Sequence, residues 1–235
     1  MERPSRKVTT KYTKHTKAGG AAWVFVAIGL GLAGCATSSR EPANLGAHKQ
    51  EIRDYVESGQ YADQLKNVAA QANDWIEKRV ARKSEGERLA IVLDLDETLF
   101  LNWSRIDASD FTYIREDWNR WVAEAAAPAI EPVREVFRTA RQHDVAVIFI
   151  TGRPELQREA TEENLRRIGC TDYDALICAP DGRESSAALF KAAQRQRINA
   201  EGKTIIANVG DQLSDLAGGF AERMFKLPNP FYLTE

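Results

Sequence analysis

The segment Ala90-Ile91-Val92-Leu93-Asp94-Leu95-Asp96-Glu97-Thr98 constrains the fold more than any other part of this 235-residue chain. Four apolar residues run straight into two aspartates two positions apart. In extended backbone, residues i and i+2 share a face, so Asp94 and Asp96 leave the strand on the same side. A strand apolar on both faces needs cover on both, as in a parallel sheet. Ligands of such sheets bind at the carboxyl ends of the strands. Two carboxylates delivered there, with no basic residue beside them, make a poor structural ion pair and a good metal or phosphoryl site.

From Leu89 onward, strand-like and helix-like segments alternate, which argues for an α/β fold. The expected architecture is a Rossmann-like parallel sheet with helices on both faces. Strands are predicted at 89–95, 145–150, 175–178, 204–209 and 223–227, and helices at 132–143, 156–168 and 186–198. Pro132 and Pro154 fit helix starts and Gly169 fits a helix C-cap. Two N-terminal helices are predicted at 49–57 and 60–83, split by Ser58-Gly59. The second carries Leu65, Val68, Ala72, Trp75, Ile76 and Val80 on one stripe, the pattern of a packing face. Residues 100–130 are too long for a plain loop and hold Trp103, Phe111, Tyr113, Trp118 and Trp121.

Three further segments repeat the build of a strand ending in a polar turn. The strand at 145–150 ends in Thr151-Gly152-Arg153-Pro154, and that at 204–209 in Gly210-Asp211-Gln212, with Asp215 just beyond. Lys191 lies in the helix predicted between them. The order DxDxT, Thr-Gly, Lys, GDxxxD resembles the haloacid dehalogenase (HAD) superfamily of phosphohydrolases. DLDETLFLN, ITGRPE, GDQLSDL and the closing FKLPNPFY are similar to class C acid phosphatases of bacteria and to the plant acid phosphatases and vegetative storage proteins. The resemblance spans residues 51–232, nearly the whole chain after its leader.

That resemblance implies a mechanism. Asp94 would be the nucleophile, forming an aspartyl phosphate. Asp96 would protonate the leaving oxygen and then deprotonate the water that clears the intermediate. The second aspartate at this spacing marks phosphatases within the superfamily. It also argues against a P-type ATPase, whose nucleophile is followed by Lys-Thr-Gly. Carboxylates this close repel a phosphate unless a cation intervenes, and Mg²⁺ suits an oxygen-only cluster. Its expected ligands are the Asp94 carboxylate, the Asp96 carbonyl and Asp211, with Asp215 orienting them or a bound water. Thr151 would donate its hydroxyl to phosphate, aided by the Gly152 N–H and the helix start that follows. Asn102 and Trp103 fall in a loop that lines the pocket in this family, while Arg153 reads as a surface or helix-start residue.

Two lysines lie between the second and fourth motifs. Lys203 precedes Asp211 by eight residues along a strand, which places it roughly 20–25 Å away at the other end of the sheet. Lys191 is therefore the phosphate ligand. The insertion at 100–130 would be a minimal cap beside an open site. Its aromatics favour phosphate monoesters carrying a flat ring, such as nucleoside monophosphates. Two alternatives keep the same fold: a non-catalytic surface or storage-type protein, and a phosphotransferase.

The N-terminus carries an address. Met1 to Lys17 hold six bases against one acid, an uncharged stretch follows to Gly34, and Leu32-Ala33-Gly34-Cys35 resembles a bacterial lipobox. The expected organisation is a lipoprotein signal at 1–34, a flexible tether at 35–48 and a phosphatase domain at 49–235. Cys35 would be acylated, anchoring the protein to the cell envelope. Ala36, in place of a retaining aspartate, favours the outer membrane, facing the periplasm. An uncleaved membrane anchor is the competing reading, because the apolar run of about 17 residues is near the lower limit for a span.

Loss of residues 1–34 shifts the formal charge from −2 to −7, since six bases leave with one acid. An acidic surface lacks the footprint of a nucleic-acid polymer binder. Cys170 and Cys178 are expected to be free, a bridge being the alternative. The spacing of Cys178 and Arg183 misses that of a cysteine phosphatase loop, and His15, His48 and His143 fall outside every motif.

Overall fold

The apolar run before Asp94 becomes β1 (Leu89–Leu93), the middle strand of a five-stranded sheet. The coordinates are a computed structural model, in which residues 41–234 are described. The other strands are β2 (Ala146–Pro154), β3 (Ala175–Ala179), β4 (Thr204–Gly210) and β5 (Met224–Lys226). They lie in the order β3-β2-β1-β4-β5, and every neighbouring pair is parallel. The chain leaves β1 for β2 on one side and returns to its other side at β4. The ends of β1 and β4 therefore flank a topological switch point, where a crevice opens.

Period-two alternation divides the core. Leu89, Ile91 and Leu93 pack with Val147 and Phe149 on one face, beneath α2 (Gln60–Val80) and α5 (Glu131–Gln142). Ala90 and Val92 face the other way, with Ile148, Ile150 and Ile205, under Phe190 and Ile198 of α7 (Ala187–Ala200). Each fully buried Leu or Ile contributes about 1.5–3 kcal/mol relative to exposure, so both faces need helices. The α/β architecture expected from sequence is the one observed.

The stripe on α2 buries Leu65, Ala72 and Ile76, with Val68, Trp75 and Val80 partly covered. Trp75 also donates its indole N–H to the Ile206 carbonyl at 2.7 Å, tying α2 to β4. The first helix, α1 (Leu45–Glu57), starts within the stretch read as tether, because Asn44 caps it by accepting the Gly46 N–H. The leader, Cys35 and the rest of the tether up to residue 40 lie outside the described residues. Cys170 and Cys178 are buried and free.

Two boundaries matter for the site. β2 runs to Pro154, four residues beyond the predicted end. A single 3-10 turn (Glu155–Gln157) then precedes α6 (Arg158–Arg167), so no α-helix starts at the Thr-Gly motif. The insertion at 100–130 folds as α3 (Trp103–Ala108) and α4 (Arg115–Glu124). Arg167 and Asn164 of α6 bind the carbonyls of Glu124, Ala125 and Ala127, pinning the end of the insertion to the main domain.

Candidate active site

Beyond β1 the chain reverses within a few residues. The Asp94 N–H still pairs with the Val209 carbonyl at 3.1 Å, and the Leu95 carbonyl then accepts from Thr98, Leu99 and Phe100. Glu97 supplies the left-handed turn at φ 54°. A residue with a Cβ resists that conformation by about 1–2 kcal/mol, and here the side chain compensates. It accepts the Asn102 N–H at 2.9 Å and bonds the Tyr232 hydroxyl. The turn leaves Asp94 and Asp96 side by side in two different environments.

Asp94 meets the products of β4 and α7. Carboxylate oxygens of Asp94, Asp211 and Asp215 lie within 4.8 Å of one another, and all three residues are buried. Lys191 reaches into them from α7, bonding Asp94 and lying 2.6 Å from Asp215. Burial alone would lower the pKa of the lysine, but the two aspartates more than reverse this and raise it. Burial pushes Asp94 well above the ordinary carboxylate range; Lys191 pulls it down, while Asp215 and Asp211 push it up again. Burial and then the Asp215 charge raise Asp211 as well. One ammonium cannot neutralise three carboxylates, so the donor set fits a divalent cation bound through oxygen.

The loop after β4 is built to bring these groups together. A Cβ on Gly210 would lie 2.4 Å from that of Asp215, so only glycine admits the aspartate there. Asp215 Oδ2 accepts the Gln212 N–H at 2.7 Å. Asp211 is held by Thr98 at 3.0 Å, by Gln212 at 2.8 Å and by Asn229 at 2.7 Å. One turn beyond Lys191, the buried Arg195 donates to the carbonyls of Asp215, Ala217 and Gly219. Helix α7 thus supplies both the site's lysine and the clamp on its loop.

Asp96 turns the other way. Arg153 donates Nε to Oδ2 at 2.9 Å and Nη2 to Oδ1 at 2.6 Å, and Asn102 Nδ2 donates to Oδ1 at 3.0 Å. Burial would raise the Asp96 pKa, but the guanidinium more than offsets it and the net shift is downward. Arg153 is itself buried, with its guanidinium over the Phe100 ring at 4.9 Å and a bond to Thr161 at 3.2 Å. It is neither a surface residue nor a helix-start residue. The extended β2 explains this, since Arg153 shares the face of Thr151 two positions before it.

The remaining predicted residues divide. Thr151 is buried on the same face of β2 as Arg153 and accepts the Arg153 N–H at 3.1 Å, leaving its hydroxyl proton free to donate. Gly152 is exposed, with nothing within 4 Å of where a Cβ would stand, so the backbone is open to a ligand. The helix start does not assist, because the Leu156 N–H is taken by Asp181 at 3.0 Å. Asn102 has no exposed surface, and its amide is consumed by Asp96 and Trp121 rather than offered to a substrate. Trp103 packs against Phe111 and Phe231 at 5.9 and 5.0 Å between ring centroids, which makes it part of the core margin. Lys203 stands at the start of β4, 3.7 Å from Glu201. Asn229 and Tyr232, from the closing PNPFY, are supports whose partners could not be read from sequence.

Residues 38–235 match the family described as HAD superfamily, subfamily IIIB (acid phosphatase). The chain belongs to that family. Acid phosphatase 1 of Solanum lycopersicum is 32% identical over 188 residues, covering 77% of this chain and 72% of the relative. Vegetative storage protein 1 of Arabidopsis thaliana is 29% identical over 198 residues, covering 81% and 71%. Among solved structures, the class C acid phosphatase from Bacillus anthracis matches with a TM-score of 0.66 and 21% identity, covering 79% of this chain and 86% of that one. The last comparison speaks to the fold. This acid phosphatase therefore has the sheet of its relatives, with a paired aspartate at the end of β1 and a carboxylate cluster facing it.

Proposed function

We propose that the chain is a magnesium-dependent, lipid-anchored acid phosphatase that hydrolyses small phosphate monoesters, nucleoside monophosphates among them, through an aspartyl phosphate on Asp94. The observation that carries this reading is the contrast at the end of β1. Asp94 sits among carboxylates that need a cation, while Asp96 is held apart by Arg153 and Asn102. Mg²⁺ held by Asp94, Asp211 and the Asp96 carbonyl would screen the carboxylates from the phosphate and polarise it. Thr151, Gly152 and Lys191 would hold the phosphate oxygens. Asp94 would then attack phosphorus as Asp96 delivers a proton to the departing oxygen.

Kinship with vegetative storage proteins supports a second reading, a non-catalytic protein on the same scaffold. Every ionisable residue that the reaction needs is present and assembled, which favours the enzyme. A phosphotransferase would use the same residues, and competition by added alcohols separates the two.

Of the tryptophans in the insertion, Trp118 is the one left for a substrate ring. Trp103 and Trp121 pack on the core margin, whereas Trp118 pairs with the exposed Tyr113 at 6.3 Å. Base stacking on an aromatic ring is worth about 1–3 kcal/mol. The test is a panel of AMP, an aryl phosphate and glycerol phosphate, with EDTA or Mg²⁺, on the wild type and Trp118→Ala. Turnover should require Mg²⁺, and Trp118→Ala should raise KM about tenfold for AMP and leave glycerol phosphate unchanged. Metal-independent turnover overturns the magnesium role, and equal changes on all three substrates remove the nucleotide preference.

The lipobox at Cys35 supports anchoring in the bacterial cell envelope, at the outer membrane facing the periplasm. Cys35→Ser should leave the protein unlipidated, seen as a change in mass and membrane partition. An unchanged mass and partition would favour an uncleaved anchor.

A further inference from the structure

We propose that Trp121, on the insertion, is a positioning residue for the reaction: through Asn102 it aims Asp96 at the leaving-group oxygen. The inference rests on the reading of Asp96 as proton donor. Trp121 Nε1 donates to Asn102 Oδ1 at 2.7 Å, and Asn102 Nδ2 donates to Asp96 Oδ1 at 3.0 Å. An indole N–H can only donate, so it fixes which end of the amide faces it. The oxygen of Asn102 must point at Trp121 and its NH₂ at Asp96. Without the indole N–H, a half-turn of the amide would put oxygen against the carboxylate. An ionised carboxylate, being acceptor only, resists that half-turn by itself; a protonated one does not, and then the indole alone holds the NH₂ towards Asp96.

The path is short and confined. Asn102 has no exposed surface, and its backbone N–H is bound to Glu97 at 2.9 Å, so its main chain cannot drift. Helix α4, which carries Trp121, is tied down by a bond from Gln157 to Asn119 at 2.9 Å and by Arg105 against Asp117 at 3.3 Å. Asp96 Oδ1 receives two donors, from Arg153 and Asn102, while Oδ2 receives only Arg153 Nε. Oδ2 keeps a free lone pair, on which Asp96 would take up a proton before it acts as the acid. In the first step the Asp94 oxygen bonds to phosphorus and the ester P–O bond breaks, leaving its electron pair on the departing oxygen. That oxygen takes the proton from Asp96 Oδ2. The insertion thus has a second task beside bordering the pocket, which is to hold the acid in register.

A residue that only packs would affect all substrates alike. One that aims a proton affects those whose leaving group needs it. 2-Phenylethyl phosphate expels a basic alkoxide, whereas 4-nitrophenyl phosphate expels a stable phenolate and needs little protonation. The readout is kcat/KM on both esters, which reports steps up to departure of the leaving group and is blind to later hydrolysis of the aspartyl phosphate. Trp121→Phe should lower kcat/KM for the phenylethyl ester about five- to tenfold, as expected for loss of one net hydrogen bond, and change the nitrophenyl ester less than twofold. Trp121→Gln carries its amide nitrogen as many bonds from Cβ as the indole nitrogen and should restore most of the ratio. Should Trp121→Phe lose its fold, Trp121→Met against Trp121→Gln makes the same comparison with matched shapes. Equal losses on both esters, no loss on either, or no difference between the Gln variant and the apolar ones overturns the proposal. Asp96→Asn is the control for the underlying reading. If it shows no selective loss on the phenylethyl ester, Asp96 is not the proton donor; if it does and the Trp121 variants do not, only the positioning role fails.

Discussion

Asp94 and Asp96 are two residues apart on one loop, yet the molecule treats them as opposites. Asp94 is surrounded by carboxylates from β4 and a single lysine from α7, and burial drives its pKa well above the ordinary range. Asp96 is gripped by a guanidinium from β2 and an amide from the insertion, and its pKa falls despite burial. Neighbours, not residue type, divide the labour of two identical side chains. The Asp94 side gathers negative charge that one lysine leaves unbalanced, and it could hold a cation. The Asp96 side is balanced without one and provides orientation.

The sharpest test of this division is Asp94→Asn. A neutral amide keeps the shape and would remove the proposed nucleophile, so turnover should fall at least a thousandfold on every substrate, as loss of the covalent route costs several kcal/mol of barrier. Relief of the crowded carboxylates should leave the melting temperature equal to that of the wild type or higher. Residual activity above about one per cent would remove Asp94 as nucleophile.

Arg153 probes the other side. Arg153→Gln should lower kcat/KM about 10–100-fold on alkyl phosphates, because general acid–base catalysis contributes about 10²–10⁴ and orientation is part of it. Arg153→Lys should fall between, keeping the charge and losing the two-pronged grip. The measurement is kcat/KM on alkyl and nitrophenyl esters. Equal activity in Lys and Gln variants would mean that geometry at Asp96 does not depend on the guanidinium.

The two sides also differ in how far sequence alone revealed them. The charged cluster was legible because its members lie in short motifs at the ends of apolar strands. Lys203 could be set aside by strand length. The supports of Asp96 were not legible. Arg153 follows a strand whose apolar run stops at Ile150, and nothing local says that β2 continues to Pro154. Its bond to Asp96 joins residues 57 apart in sequence. Asn102 and Trp121 belong to the insertion, whose short helices have no strand period to fix which way a side chain points. The pairings of Tyr232 with Glu97 and Asn229 with Asp211 depend on how the last residues fold back, which is tertiary information.

Glu97 separates the two sides most finely. It has no exposed surface, and burial, followed by the charge of Asp96, raises its pKa to about 8 from an ordinary 4.5. The folded protein therefore keeps Glu97 protonated at neutral pH, while the unfolded chain ionises it above about 4.5. The stability it contributes is complete below that value and is lost as pH climbs towards 8. Glu97→Gln is neutral at every pH and keeps an acceptor for the Asn102 N–H. Asp94 and Asp211 are also raised, but they are common to both proteins and cancel in the difference. With EDTA present, the melting temperature of Glu97→Gln relative to wild type should therefore rise between pH 5 and pH 8. At about 1.4 kcal/mol per pKa unit and 2–4 °C per kcal/mol, the gain should be of the order of 10 °C. A gap that narrows with rising pH would show that Glu97 is ionised in the fold. The Asp96 side would then carry two carboxylates against the single Arg153, and the charge balance that distinguishes it from the Asp94 side would be gone.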